Sequence, residues 1–248
     1  MQQLCTITDV VAASDADPQC MWAGQGLHAG GQAWEHGGAV AVGCRALCGR
    51  DRIVVRGPAG AAGRLVREAV DALGPSFVLI GDPPVMASLM AQVCWLEPLS
   101  FFAWMDGIKQ TGHRRVHSVR WLARREWQAA DEVLSAASPS SYVRPWLPGV
   151  RRFAGISDSG GRLTCTVADA WSTPSVGFMT GLAVLPQVRR AGQGRDACGF
   201  VLDALLASHG RAALMEWDWN VAAVRLYMQL GMSYRRQQML RVKPASRP

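Results

Sequence analysis

No stretch of the 248-residue chain approaches the roughly 18 uninterrupted apolar residues that a membrane-spanning helix needs. A bilayer protein built of helices is therefore not expected. The N-terminal stretch MQQLCTITDVVAASDADPQC lacks a basic region and carries aspartates, so it does not read as a secretory signal, and cytoplasm is the default compartment. No Cys-x-x-Cys occurs among the seven scattered cysteines. An odd, scattered set excludes a disulfide framework, and Cys44-x-x-x-Cys48 has no second pair to complete a zinc site. Buried thiols and no metal are the expectation. Lysine is nearly missing, so the net charge of +7 comes from arginines spread along the chain. The densest basic run, His113-Arg114-Arg115, is short, which argues against nucleic acid as a partner.

What is present suffices for a large core. The chain is 49% hydrophobic and 18% charged, enough for one or two domains. Residues 1–38 are weakly patterned: Asp9–Ala16 suits a short helix capped by Thr8 or Asp9, and the glycines of 24–38 suit a loop. Ala39–Gly43 and Arg52–Arg56 read as strands. Ala61–Leu73 reads as an amphipathic helix with Leu65, Ala69 and Leu73 stacked, stopped by Gly74-Pro75. Phe77–Ile80 is a strand, Val85–Val93 a helix behind an Asp82 cap, and Leu99–Met105 a strand. Residues 107–111 form the expected linker.

Beyond it, His117–Leu122 suits a strand and Arg124–Ala137 a helix. The loop SPSSYVRPWLPG offers Tyr142 and Trp146. Arg152–Ile156 and Leu163–Ala168 suit a hairpin. Val176–Leu185 and Arg211–Trp219 read as strands, Asn220–Leu230 as a helix, and Ser233–Val242 as a closing strand. Asn220 is a strong N-cap type and Gly231 a natural residue just past a helix end.

The stretch from Gly181 to Leu206 organises the rest. An apolar strand containing Leu182, Ala183, Val184 and Leu185 meets Pro186. A loop of Arg189, Arg190, Ala191, Gly192, Gln193 and Gly194 follows, then a helix with Ala197, Val201 and Leu205 on one stripe. A glycine loop opening a helix is suited to phosphate, because the first amides of a helix lack partners and its dipole favours an anion. Arg189, Arg190 and Arg195 add charge there.

Arg189-x-x-Gly192-x-Gly194 resembles the acyl-CoA loop of the GCN5-related N-acetyltransferase (GNAT) superfamily. Asn220, Ala223, Tyr227 and Gly231 resemble its second landmark, with Met232 where a phenylalanine is usual. The resemblance covers about 116–242. It implies an α/β (α+β) fold of two GNAT-like mixed-sheet halves. Residues 1–110 would be a degenerate N-terminal half, and 111–248 the catalytic domain. The earlier strand-helix order echoes the later one, but its Arg56–Ala61 loop carries Pro58 and no Asn…Tyr landmark follows, so it is not expected to hold a cofactor.

The activity implied is N-acyl transfer from acetyl-CoA or another acyl-CoA, without a metal, to the amine of a small molecule. Protein or peptide acetylation and an inactive CoA-binding regulator are the alternatives. The backbone of Leu182–Leu185 would hold the pantetheine arm. The 189–195 loop would hold the phosphates, and Asn220 and Ala223 would border the cofactor. Tyr227 would protonate the leaving thiolate. The Val176–Leu185 strand lacks the glutamate common in the family, which leaves Glu216 and Asp218 as candidate bases or amine ligands. No membrane partner is implied, and the oligomer is a monomer or homodimer.

Overall fold

The structure, a computed structural model, describes residues 1–243. In chain order the elements are β1 (Gln2–Leu4), α1 (Ile7–Ala13), α2 (Pro18–Ala23), β2 (Gln32–His36), β3 (Ala39–Leu47), β4 (Arg50–Arg56), α3 (Ala59–Leu73), β5 (Val78–Gly81), α4 (Pro83–Gln92) and β6 (Leu96–Gly107). They continue with β7 (Arg120–Trp121), α5 (Trp127–Ala137), β8 (Val150–Ser157), β9 (Leu163–Ala170), β10 (Gly177–Val184), α6 (Gln193–His209), β11 (Ala212–Trp217), α7 (Val221–Gln229) and β12 (Ser233–Val242). The order nearly repeats: a strand, two helices and three strands in the first half, and a strand, one helix and three strands in the second, precede helix, strand, helix, strand.

Two compact units form. The first takes residues 1–104, 217–219 and the chain from Arg235 on; the second takes 105–216 and 220–234.

In the first unit the strands lie in the order β1-β2-β3-β4-β5-β12-β6. β4 and β5 are parallel, in register from Arg52↔Val78 to Val55↔Gly81, and parallel neighbours need a crossover, which α3 supplies. α3 buries Leu65, Ala69 and Leu73, as their spacing predicts, together with Ala62, Val66 and Val70. They pack against Ile53, Val55, Phe77 and Leu79. Beyond the last β4–β5 pair, Arg56 turns inward at 7% exposure. Its guanidinium donates to Asp17 at 3.1 Å and to Gln237 at 2.8 Å, and also to Gln19.

The glycine-rich early segment holds more structure than its composition implies. β2 pairs with β3 from Gln32↔Gly43 to His36↔Ala39, although only Ala33 and Trp34 of its five residues are apolar. The first helix starts earlier than expected. Thr6, not Thr8 or Asp9, is its cap: Thr6 Oγ1 accepts from Asp9 N at 3.1 Å and Asp9 Oδ2 accepts from Thr6 N at 2.9 Å. This reciprocal capping box satisfies two amides at once.

In the second unit the order is β11-β10-β9-β8-β7. β8 and β9 form the expected hairpin, its turn closed by Asp158 Oδ1, which accepts from Gly160 N and Arg162 N at 3.0 and 2.9 Å. Every residue of β9 is buried, so β9 is the centre of this sheet. α6 crosses from β10 to the parallel β11. It packs so close that a Cβ on Gly177 would lie 2.7 Å from Leu205 Cβ. The strand expected over 117–122 shrinks to Arg120–Trp121, because the amides of Val116 and His117 bind the Asp196 carboxylate instead of a neighbouring strand. Five cysteines are buried; Cys5 and Cys94 are exposed, and all seven are free.

Candidate active site

Two departures from regular sheet shape the site. β10 and β11 pair only at Gly177↔Ala212 and Phe178↔Ala213. Past these pairs the parallel strands part, leaving the backbone of Met179–Val184 without a neighbour on that side. On its other side β10 is bulged: the register with β9 shifts between Thr180↔Ala168 and Ala183↔Thr166. A bulge redirects the peptides on the bulged strand. Gly181 sits in it at φ +67°, and a Cβ there would come within 2.4 Å of Val143 Cγ1. After the bulge Ala183 and Leu185 are buried, while Leu182 and Val184 are partly open. Leu185 N donates to Thr164 O at 2.9 Å.

The loop past β10 makes a single 3₁₀ turn at Pro186–Val188 and passes through two left-handed residues, Arg190 (φ +66°) and Gly192 (φ +87°). Gly192 caps α6 and offers no side-chain oxygen to its first amides, which leaves them to an anion. Gly194 lies against Val184, where a Cβ would be 3.3 Å from Cγ2. The loop residues divide by role. Arg189 braces the loop, donating to Val184 O at 3.1 Å and Ala137 O at 3.2 Å. Gln193 is a buried fastener whose Oε1 accepts from Thr164 Oγ1 at 2.9 Å. Arg190, Ala191 and Arg195 are exposed.

Tyr227 projects from α7, buried at 4% exposure. The helix starts at Asn220, whose Oδ1 lies 3.5 Å from Ala223 N and caps it. The phenol is pushed well above its ordinary value, first by burial, then by the neighbouring Cys198 and Glu216, with a hydrogen bond to the Glu216 carboxylate among the causes. Tyr142 is also in its electrostatic neighbourhood. Tyr142 OH is 3.0 Å from Thr180 Oγ1 at the bulge, and its ring is 5.9 Å from Trp171.

Tyr227 and Glu216 are thus brought together. Asp218, the other carboxylate in register with Glu216, is held by Arg236 Nε at 2.8 Å. Trp146 stacks on Trp127 at 5.0 Å beneath the Arg124 guanidinium. Met232, in the phenylalanine place, is buried and donates its amide to Tyr227 O at 3.1 Å.

One cluster had no place in the sequence reading. Asp196, in the first turn of α6, is buried and accepts four hydrogen bonds. His113 Nε2 reaches Oδ1 at 2.6 Å, while His117 Nδ1, His117 N and Val116 N reach Oδ2 at 2.7, 2.8 and 3.1 Å. Burial would raise this carboxyl, but the four hydrogen bonds outweigh it and hold it at about 2. An acid in the first helical turn and two histidines four apart were the available signals, but nothing in the spacing joined them across 79 residues.

A group lowered on folding stabilises the fold above its unfolded value and loses that contribution as pH falls through its folded value. Asp196 therefore contributes fully above about pH 4 and loses its contribution toward pH 2. Asp196→Asn is expected to cost about 2 kcal/mol in urea unfolding at pH 7 and to flatten the loss of stability between pH 4 and pH 2. An unchanged acid limb would count against the cluster.

The fold is shared with many solved structures. A Drosophila protein matches at TM-score 0.64 and 13% identity, over 99% of both chains. A GCN5-related N-acetyltransferase from Kribbella flavida matches at 0.62 and 16%, over 90% of this chain and 93% of that one. A GNAT-family protein from Novosphingobium aromaticivorans matches at 0.54 and 16%, over 95% and 97%. These likenesses extend over both units, and at such identities they concern the fold. No curated protein matches the sequence significantly. Residues 115–232 match the Acetyltransferase (GNAT) family. The match covers that domain alone, and members of the family generally use acetyl-CoA as co-substrate. Among the described residues no group of three or more His, Cys, Asp or Glu side chains is arranged to hold a metal ion. No helix among them is long and apolar enough to cross a membrane.

Proposed function

We propose that the second unit is an acyl-CoA-dependent N-acyltransferase that moves an acetyl group to the primary amine of a small molecule. The pairing of Tyr227 with Glu216 in the unit where β10 and β11 part carries this reading. The thioester would lie along the open edge of β10, its phosphates at Gly192 and the first amides of α6. Leu182–Leu185 would supply main-chain hydrogen bonds to the pantetheine arm, and an amide near the bulge would face the thioester oxygen. Asn220 and Ala223 would border the cofactor through the start of α7.

The proton path follows from the pair. Glu216 accepts a proton from the substrate ammonium, and the neutral amine attacks the thioester carbon. The C–S bond breaks as the amide C–N bond forms. Tyr227 gives its proton to the thiolate and regains one from Glu216, while the second proton of the attacking nitrogen passes to solvent, so the site returns to its starting state with one proton released per turnover. A carboxylate beside aromatic rings also suits a cationic amine. Asp218, paired with Arg236, is left out of this path.

The first unit is proposed to be a degenerate copy that binds no cofactor. Its parallel pair stays zipped to Val55↔Gly81, the inward Arg56 is spent on Asp17 and Gln237, and Pro58 stands at the cap of α3.

The test is calorimetric titration with acetyl-CoA, then thiol release across a panel of amines. One acetyl-CoA per chain and amine-dependent release are expected. Binding without release on any amine would assign an inactive CoA-binding protein, and no binding would overturn the reading.

A further inference from the structure

The segment from Thr111 to His117 is strapped along one face of α6. Its fastenings are two aspartates two turns apart. Thr111 N and Arg115 bind Asp203 at 2.8 and 3.3 Å, while His113, Val116 and His117 bind Asp196. Between the two aspartates, the Arg115 guanidinium lies over the Phe200 ring at 5.5 Å. Gly199 leaves room for the His113 ring, to which a Cβ would come within 3.2 Å.

The strap ends beside the anion loop. His117 Cε1 lies 3.8 Å from where a Gly192 Cβ would be. Because Asp196 is an ionised acceptor, it fixes the proton of His117 on Nδ1. Nε2, on the other side of Cε1, makes no hydrogen bond among the described residues. The ring is partly open, with 27% of its side chain exposed, against 4% for Asp196 behind it. Of the loop's own side chains, Arg189 is committed to two carbonyls.

We propose that His117 Nε2 is a further ligand for a phosphate of the acyl-CoA, with Asp196 as the residue that positions it. This rests on the cofactor site proposed above. The ring donates one charge-assisted hydrogen bond to a phosphate oxygen, beside the amides of α6. The pyrophosphate and the 3′-phosphate offer the same chemistry.

The experiment measures CoA affinity by calorimetry, and turnover with acetyl-CoA and with S-acetyl-N-acetylcysteamine, a thioester without phosphates. His117→Ala is expected to weaken CoA about tenfold, to raise KM for acetyl-CoA with little change in kcat, and to leave turnover of the phosphate-free thioester unchanged. His117→Gln, which keeps a donor, should recover part of the affinity. Repeating the comparison with 3′-dephospho-CoA separates the sources. A loss that persists assigns the pyrophosphate, and a loss that vanishes assigns the 3′-phosphate. Unchanged CoA affinity in His117→Ala overturns the inference while leaving the cofactor site standing. An equal loss with the phosphate-free thioester also overturns it, by showing a purely structural role. Wild-type protein that binds no CoA overturns both.

Discussion

Tyr227→Phe is expected to lower kcat about 100-fold while CoA affinity changes less than about twofold. The substitution removes one oxygen from a side chain that is 4% exposed, so the packing of α7 survives. What is lost is the proton donor. A phenol held well above 10 by burial and by Glu216 stays protonated throughout the neutral range, so it can deliver a proton only to a strong base. A departing thiolate in a water-poor cleft is such a base. The pH profile separates this role from a structural one. The wild type should show no basic limb from the phenol below about pH 10. Tyr227→Phe should keep the profile's shape at a lower height. Equal turnover would remove Tyr227 from the mechanism.

Gly181→Ala should be among the most damaging single-methyl changes in the second unit. A non-glycine residue at φ +67° costs about 1–2 kcal/mol. The added Cβ also meets Val143 Cγ1 at 2.4 Å, which forces a shift costing about 1–3 kcal/mol. A total near 3 kcal/mol lowers Tm by about 6–12 °C for a chain of this size. Turnover should fall further than stability, by more than about tenfold below Tm, because the strain relaxes by remodelling the bulge that aims the strand at the thioester. Gly161→Ala is the control. It has φ +82° but nothing within 4 Å of its Cβ, so it should cost the strain alone and leave turnover intact. If both variants lose activity equally, the bulge has no special part in catalysis.

Much of this was legible in the chain. The helix expected over 61–73 and found at Ala59–Leu73, the hairpin of β8 and β9 and the closing strand Ser233–Val242 follow from hydrophobic spacing and turn residues, which act locally. The glycine turn that opens α6 was legible, as was the start of α7 at Asn220. What escaped was set by partners distant in sequence. β2 forms because β3 offers its edge, not because Gln32–His36 favours a strand. Glu216 and Asp218 looked equivalent by alternation, and only the choice of neighbour, Tyr227 or Arg236, separates them. Arg189 read as a phosphate ligand until the carbonyls of Val184 and Ala137 claimed it. His113 read as part of a short basic run and His117 as the start of a strand, until Asp196 gathered them.

The placement of β12 between β5 and β6 bears on how the protein is made. Strands β1 to β6 are synthesised long before β12, yet their sheet cannot close until β12 emerges. Gln238, Met239 and Leu240 pair with Gly81, Ile80 and Leu79, more than 150 residues upstream. Throughout translation the facing edges of β5 and β6 wait unpaired, and open edges invite foreign strands. Loss of Ser233–Val242 would thus unmake a sheet whose other strands were built long before it.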